Sequence, residues 1–119
     1  MEYRTLDSGE RQHYESGMVR DTDVGKPRYD LIYEPMLTRW AELMARGSSK
    51  YGENNWQKAN SEEELTRFKA SGFRHFIAWI RGDEDEDHAA AVMYNIMACE
   101  FLKRRLNERE TDPQPRLFY

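Results

Sequence analysis

Five consecutive acidic residues and a histidine, Asp83-Glu84-Asp85-Glu86-Asp87-His88, run directly into Ala89-Ala90-Ala91-Val92-Met93-Tyr94-Asn95. An alanine-rich segment of this kind can only be a helix. If that helix starts inside the acidic run, His88 and Asn95 lie seven residues apart on one face, with Glu84 a turn earlier. A stripe of carboxylate, imidazole and amide beside an apolar face suits a hard divalent cation. The competing reading is an acidic helix N-terminus that complements the macrodipole, with a satisfied histidine.

Three other clusters carry chemistry. Lys26 and Arg28 flank Pro27 in an extended segment, either a cationic clip for phosphate oxygens or a solvated basic pair. Lys50 and Tyr51, followed by Asn54, Asn55 and Trp56, put a cation, amides and an aromatic face into one loop. That set can hold a base by stacking and edge hydrogen bonds, or it is an Asn/Gly turn with Trp56 docked into the core. Arg74 and His75 are adjacent, so their directions differ by about 100° and at most one of them faces a site. His75 falls on the side of Leu65, Phe68 and Trp79, where a satisfied core histidine is the commoner outcome.

The elements that must position these residues are helical. Pro35 suits a first helical position, Leu37, Trp40, Ala41 and Met44 keep helical spacing, and Gly47 is placed as the stop. A loop is expected from Ser48 to Asn60. Ser61 followed by Glu64 is a capping box opening a second helix, which runs through Leu65, Phe68, Phe76, Trp79 and Ile80 to Gly82. Gly72 inside it costs about 1 kcal/mol of propensity and points to close approach by another helix. The third helix is expected from the acidic run through Val92, Ile96, Cys99 and Leu102 to about Asn107. Trp40 and Trp79 are core by spacing, and no strand alternation competes anywhere.

Residues 1–24 form a polar arm without periodicity, 25–107 the domain, and 108–119 a tail with Pro113 and Pro115. The expected class is all-α, a bundle of three to four main helices that completes its core by oligomerisation, as a homodimer or homotetramer. At 119 residues with 34% charged, the chain can bury only one modest core. A net charge of −4 argues against direct nucleic-acid binding but not against a nucleotide held through metal ions. The single cysteine, Cys99, excludes a disulfide framework. With no apolar run of membrane-spanning length and no signal-peptide pattern, a soluble cytoplasmic protein is expected.

Several of these segments are shared with one family. The run Gly25-Lys26-Pro27-Arg28-Tyr29-Asp30-Leu31-Ile32, then Lys50-Tyr51-Gly52 with Asn55-Trp56, Arg74-His75 with Trp79, and Gly82 with Glu86-Asp87-His88 and Asn95 resembles the phage dATP/dGTP diphosphohydrolases, a MazG-like group. The resemblance spans about Ser16 to Leu102. It implies an all-α pyrophosphohydrolase, usually oligomeric, that uses Mg²⁺ or Mn²⁺ to split a purine dNTP into monophosphate and pyrophosphate. In the broader group a Glu-x-x-Glu pair on one helix faces Glu-x-x-Asp on the next. Glu84-x-x-Asp87 matches the second. The first is absent, with Glu62, Glu63 and Glu64 clustered and Glu42 the remaining helical carboxylate. Ala91 stands where phage relatives commonly carry a second histidine.

The resemblance makes Glu84, Glu86 and Asp87 the natural metal ligands, with Asn95 a neutral oxygen ligand, an outer-shell orienter or a buried amide bridging helices. Glu86, Asp87 and His88 are the catalytic candidates. For His88, a general base or a partner behind a ligand is favoured, because imidazole binds Mg²⁺ poorly. Lys26, Arg28, Lys50, Tyr51, Asn55, Trp56, Arg74 and His75 are the substrate-binding candidates. Replacing Asp87 by Asn is expected to leave stability unchanged or raised, since clustered like charges repel.

Overall fold

The computed structural model describes residues 2–111. The chain divides into two compact units, the first ending at Ile32 and the second beginning at Tyr33.

The first unit contains what sequence periodicity did not announce, a two-stranded antiparallel hairpin. Strands β1 (Arg11–His13) and β2 (Val19–Asp21) pair in the register Arg11↔Asp21, Gln12↔Arg20 and His13↔Val19. Three-residue strands are too short for apolar alternation to show. Side chains hold them instead: Arg11 takes both oxygens of Asp7 at 2.8 and 2.9 Å, and the Ser8 hydroxyl donates to Asp21. A 3-10 turn at Tyr29–Leu31 ends the unit.

The second unit is three helices: α1 (Glu34–Tyr51), α2 (Glu62–Arg81) and α3 (His88–Thr111). Among the described residues the strands stop at the hairpin, so the all-α class holds with one small sheet appended. Helix α1 does not stop at Gly47. It continues one turn to Tyr51 and ends at Gly52, whose φ of 96° and N–H bonded to Ser48 O close the helix. Gly47 keeps helical backbone because nothing after it breaks the hydrogen-bond ladder. The loop beyond is short and folded, with a 3-10 helix over Asn55–Lys58.

Helix α2 begins and ends where its caps direct. Ser61 Oγ accepts from Glu64 N at 3.2 Å, the Glu64 carboxylate accepts from Asn60 N at 3.0 Å, and Gly82 terminates the helix in the left-handed region. Helix α3 runs antiparallel to it, as the meetings His75–His88, Gly72–Asn95 and Leu65–Leu102 establish. Small residues set the separation. Ala90, Ala91 and Ala98 are buried along α3, and a Cβ on Gly72 would lie 3.0 Å from that of Asn95. Leu102 is fully buried, with Ala59, Leu65, Phe68, Cys99 and Leu106 around it.

Two expectations are corrected. The third helix starts at His88 rather than in the acidic run, because Asp87 serves as its cap, and it reaches past Asn107 to Thr111. Trp79 is 52% exposed rather than core. It lies with Phe73, Phe76, Ile77 and Ile80 on an apolar face of α2 that α1 and α3 leave uncovered in the single chain. No helix among the described residues is long and apolar enough to cross a membrane. The tail's Leu117-Phe118-Tyr119 lies outside the described residues.

Candidate active site

The last two turns of α1, the turn from Gly52 to Trp56, the middle of α2 and the start of α3 enclose a cavity of about 740 Å³. Its size falls in the range of small-molecule sites. The Asn55–Lys58 wall is pinned from the far end of α3, where Arg105 donates to the carbonyl of Ala59 at 2.9 Å and Arg109 to that of Asn60 at 2.7 Å.

The acidic run is an ordered turn whose charges are mostly engaged. Asp83 bonds Arg81 at 2.6 Å. Asp85 reaches His88 Nε2 at 2.7 Å. Asp87 accepts from Ala90 N at 3.1 Å, capping α3, and both its oxygens take the Arg39 guanidinium of α1 at 2.7 and 2.8 Å. The fork-shaped pairing is what guanidinium geometry favours. Arg39 above all, then the Ala90 N–H and the nearby charge of Arg46, hold the Asp87 carboxyl down at about 2 against the penalty of partial burial. Of the five acids, Glu84 and Glu86 alone have no hydrogen-bonding partner for the side chain among the described residues. Glu86 lines the cavity beside Asp85 and Asp87.

Behind this turn two imidazoles meet, with His75 Nδ1 2.9 Å from His88 Nδ1. His88 is 6% exposed, while His75 is half-buried and faces the cavity. Asp85 is an acceptor, so His88 Nε2 carries a hydrogen, and in the neutral form of that ring His88 Nδ1 presents a lone pair to His75 Nδ1. Next to them Asn95 is buried and donates from Nδ2 to Ala91 O at 2.8 Å. Its Oδ1 receives no donor among the described residues. The His75, Glu86 and His88 ligand atoms lie within 4.8 Å of one another, as do those of Asp83, Asp85 and His88. The second grouping is already neutralised by Arg81 and by the Asp85–His88 bond. The first, a free carboxylate beside two ring nitrogens, has the donor chemistry of a divalent cation site.

The opposite wall is aromatic and cationic. Trp56 lines the cavity and packs edge-on against Phe101 at 4.9 Å and Tyr94 at 6.4 Å, so it serves wall and core at once. Its buried Nε1 has no partner among the described residues. Burial, and then the nearby Tyr51, push the Tyr94 hydroxyl up from its ordinary value. The Lys50 ammonium lies 5.0 Å over the Tyr51 ring; the nearby Tyr51 hydroxyl raises the lysine's pKa, with Glu86 adding a smaller push. Arg46 reaches the cavity from α1 and forms no ion pair among the described residues, acting on Asp87 through space.

Of the candidates read from sequence, the fold gathers Tyr51, Asn55, Trp56, His75, Glu86, Asp87 and Asn95 around one cavity, with His88 touching His75. Lys50 stands beside Tyr51. Glu84 lies in the exposed turn outside the lining, because the helix that would align it with His88 and Asn95 begins four residues later. Arg74 is exposed, as its 100° offset from His75 requires. Lys26 and Arg28 belong to the first unit, where Lys26 is 3.8 Å from Asp21 and Arg28 makes a two-pronged pair with Asp30 at 2.7 and 2.9 Å.

Sequence reasoning passed over Arg39, Arg46, Asp85 and Tyr94. Arg46 follows Arg39 by seven residues and Lys50 follows Arg46 by four, a basic stripe on one face of α1 that helical spacing displays. Nothing local singles out Asp85 or Tyr94.

A family model described as dATP/dGTP diphosphohydrolase, N-terminal, matches residues 16–113. No curated protein and no solved structure matches the chain. The match begins after β1, takes in all three helices and every wall of the cavity, and by it the chain belongs to the dATP/dGTP diphosphohydrolase family.

Proposed function

We propose that the protein hydrolyses purine deoxynucleoside triphosphates, dATP or dGTP, to the monophosphate and pyrophosphate, with Mg²⁺ or Mn²⁺ as cofactor. The observation that carries the reading is the composition of one cavity, which joins an aromatic wall, free positive charge and a free carboxylate in a volume fit for a nucleotide.

Arg46 and Lys50 supply charge for the triphosphate. Trp56, Tyr51 and Tyr94 supply ring faces and edges for the purine, with Asn55 beside them for its polar edge. Lys26 and Arg28 stay candidates for the phosphates, each needing to exchange a carboxylate partner for one. Glu86 would hold the cation, with His88 beside it, Asn95 behind and Glu84 in the adjoining turn. When bound, the cation offsets phosphate charge and activates water. Asp87, tied to Arg39, fixes the start of α3 and so the direction in which Glu86 and His88 are presented.

The alternative is a scaffold that sequesters a nucleotide without hydrolysing it. One observation favours it: both Asp87 oxygens are engaged by Arg39, leaving one of the expected metal ligands occupied. Incubation with each of the four dNTPs and Mg²⁺ or Mn²⁺, with assay of monophosphate and pyrophosphate, separates the two. Release of both products from dATP or dGTP supports the enzyme, and tight binding without products supports sequestration.

The uncovered apolar face of α2, continued by Ile96 on α3, is in this reading buried against a second copy of the chain. Exposed aromatic side chains at this density are what an oligomer interface removes from water.

A further inference from the structure

We propose that His75, His88 and Glu86 form a nitrogen-containing metal site selective for first-row transition ions of the Mn²⁺, Co²⁺ and Zn²⁺ class over Mg²⁺. It deepens the reading of the cavity as a cation-requiring site by naming the ligands and the kind of ion they select.

Four observations converge. The Nδ1 atoms of His75 and His88 are 2.9 Å apart. Two imidazoles bound side by side at about 2.1 Å from one ion, at right angles, place their nitrogens about 3.0 Å apart. The contact that joins the rings by one hydrogen is therefore the spacing an ion would bridge. Asp85 accepts from His88 Nε2 at 2.7 Å, the carboxylate–histidine pairing that turns the other nitrogen's lone pair toward a metal and raises its basicity. His88 is the first residue of α3 and 6% exposed, and His75 sits in the middle of α2, so both rings are positioned by helices before an ion arrives. Glu86 completes a group of three with ligand atoms within 4.8 Å, and its carboxylate accepts no hydrogen bond from a side chain among the described residues.

Two imidazoles and one carboxylate are a donor set that Mg²⁺, which demands oxygen and keeps its waters, binds poorly. Ions further along the divalent series accept it. His75 and Glu86 both line the cavity, so the remaining coordination positions open toward the phosphates of a bound nucleotide. Binding an ion at both Nδ1 atoms requires the His75 hydrogen to move from Nδ1 to Nε2, so that both Nδ1 lone pairs face the ion.

The test uses the full chain, stripped with chelator and titrated without nucleotide. Bound Mn²⁺ is followed by loss of the free-ion electron paramagnetic resonance signal, and nitrogen ligation by pulsed measurement of imidazole ¹⁴N couplings. One ion per chain with ¹⁴N coupling, not displaced by an equal concentration of Mg²⁺, is expected. His75→Gln should reduce the coupling to that of a single imidazole and weaken binding by about tenfold or more, and Asp85→Asn should weaken it by about 10- to 100-fold. Binding without nitrogen coupling, or a folded His75→Gln protein that binds Mn²⁺ like the parent, overturns the proposal. If His75→Gln does not fold, the coupling in the unaltered protein decides alone. Nitrogen-ligated Mn²⁺ with no hydrolysis of any dNTP would sink the enzymatic reading and leave this site standing. Hydrolysis with oxygen-only ligation would do the reverse.

Discussion

Asp87→Asn tests whether the acidic turn is held by attraction to α1 or strained by its own charge. Asn caps a helix about as well as Asp, so this change removes the ion pair with Arg39 and leaves the bond from Ala90 N in place. The fall of the Asp87 carboxyl from the usual 3.8 to about 2 corresponds to at most about 2.4 kcal/mol. With Arg39 47% and Asp87 20% exposed, solvent screening brings the pair to about 1 kcal/mol. That is about 4 °C in Tm for a domain of this size. The structure thus reverses the expectation, drawn from like-charge repulsion alone, that stability would be unchanged or raised. The pH dependence carries the sign. A carboxyl held below its ordinary value contributes stability that is complete above pH 3.8 and lost as pH falls through 3.8 toward about 2. The variant should lie below the parent at pH 7 and converge with it near pH 2. Thermal melts followed by circular dichroism, with Arg39→Met and the double variant to close a cycle, supply the readout. A Tm at or above the parent's at pH 7, or a coupling below about 0.3 kcal/mol, would refute the reasoning.

Gly72→Ala gains about 1 kcal/mol of helix propensity but sets a methyl group 3.0 Å from Asn95 Cβ, which Ala91 O holds in place. A net loss of about 1–2 kcal/mol in urea is expected, and a stabilised variant would show that α2 and α3 part freely. Trp56→Ala should lower Tm, because Phe101 loses its partner at 4.9 Å, and raise KM for purine dNTPs by the equivalent of about 1–3 kcal/mol; a lowered Tm with unchanged KM would remove Trp56 from base contact. Light scattering should give at least twice the 14.2 kDa chain mass, and Phe76→Asp on the exposed face should reduce it to one chain. A monomeric parent at micromolar concentration would refute the oligomer.

What the sequence determined by itself is whatever lies in neighbouring residues. The serine cap at Ser61, the reciprocal Glu64 and the stop at Gly82 are written within one helix, and α2 begins and ends there. Gly72 announced a close helix partner, and the partner is Asn95. The ordered motifs carried the family, because they recur whatever the fold does with them. Tertiary structure alone decided the rest. Asp87 caps α3 locally, but which rotation that carboxylate adopts is fixed by Arg39, 48 residues earlier, and a start at His88 removes Glu84 from the helix face on which spacing had placed it. His75 and His88, 13 residues apart, become one pair only because α2 and α3 run antiparallel at a separation that glycine and alanine permit. Helical spacing put Trp79 on an apolar face without saying which of two such faces the chain's own helices would cover. Local patterns encode dihedral preference and periodicity. Which side chains then meet is set by packing energies summed over the whole core, and no window of sequence contains that sum.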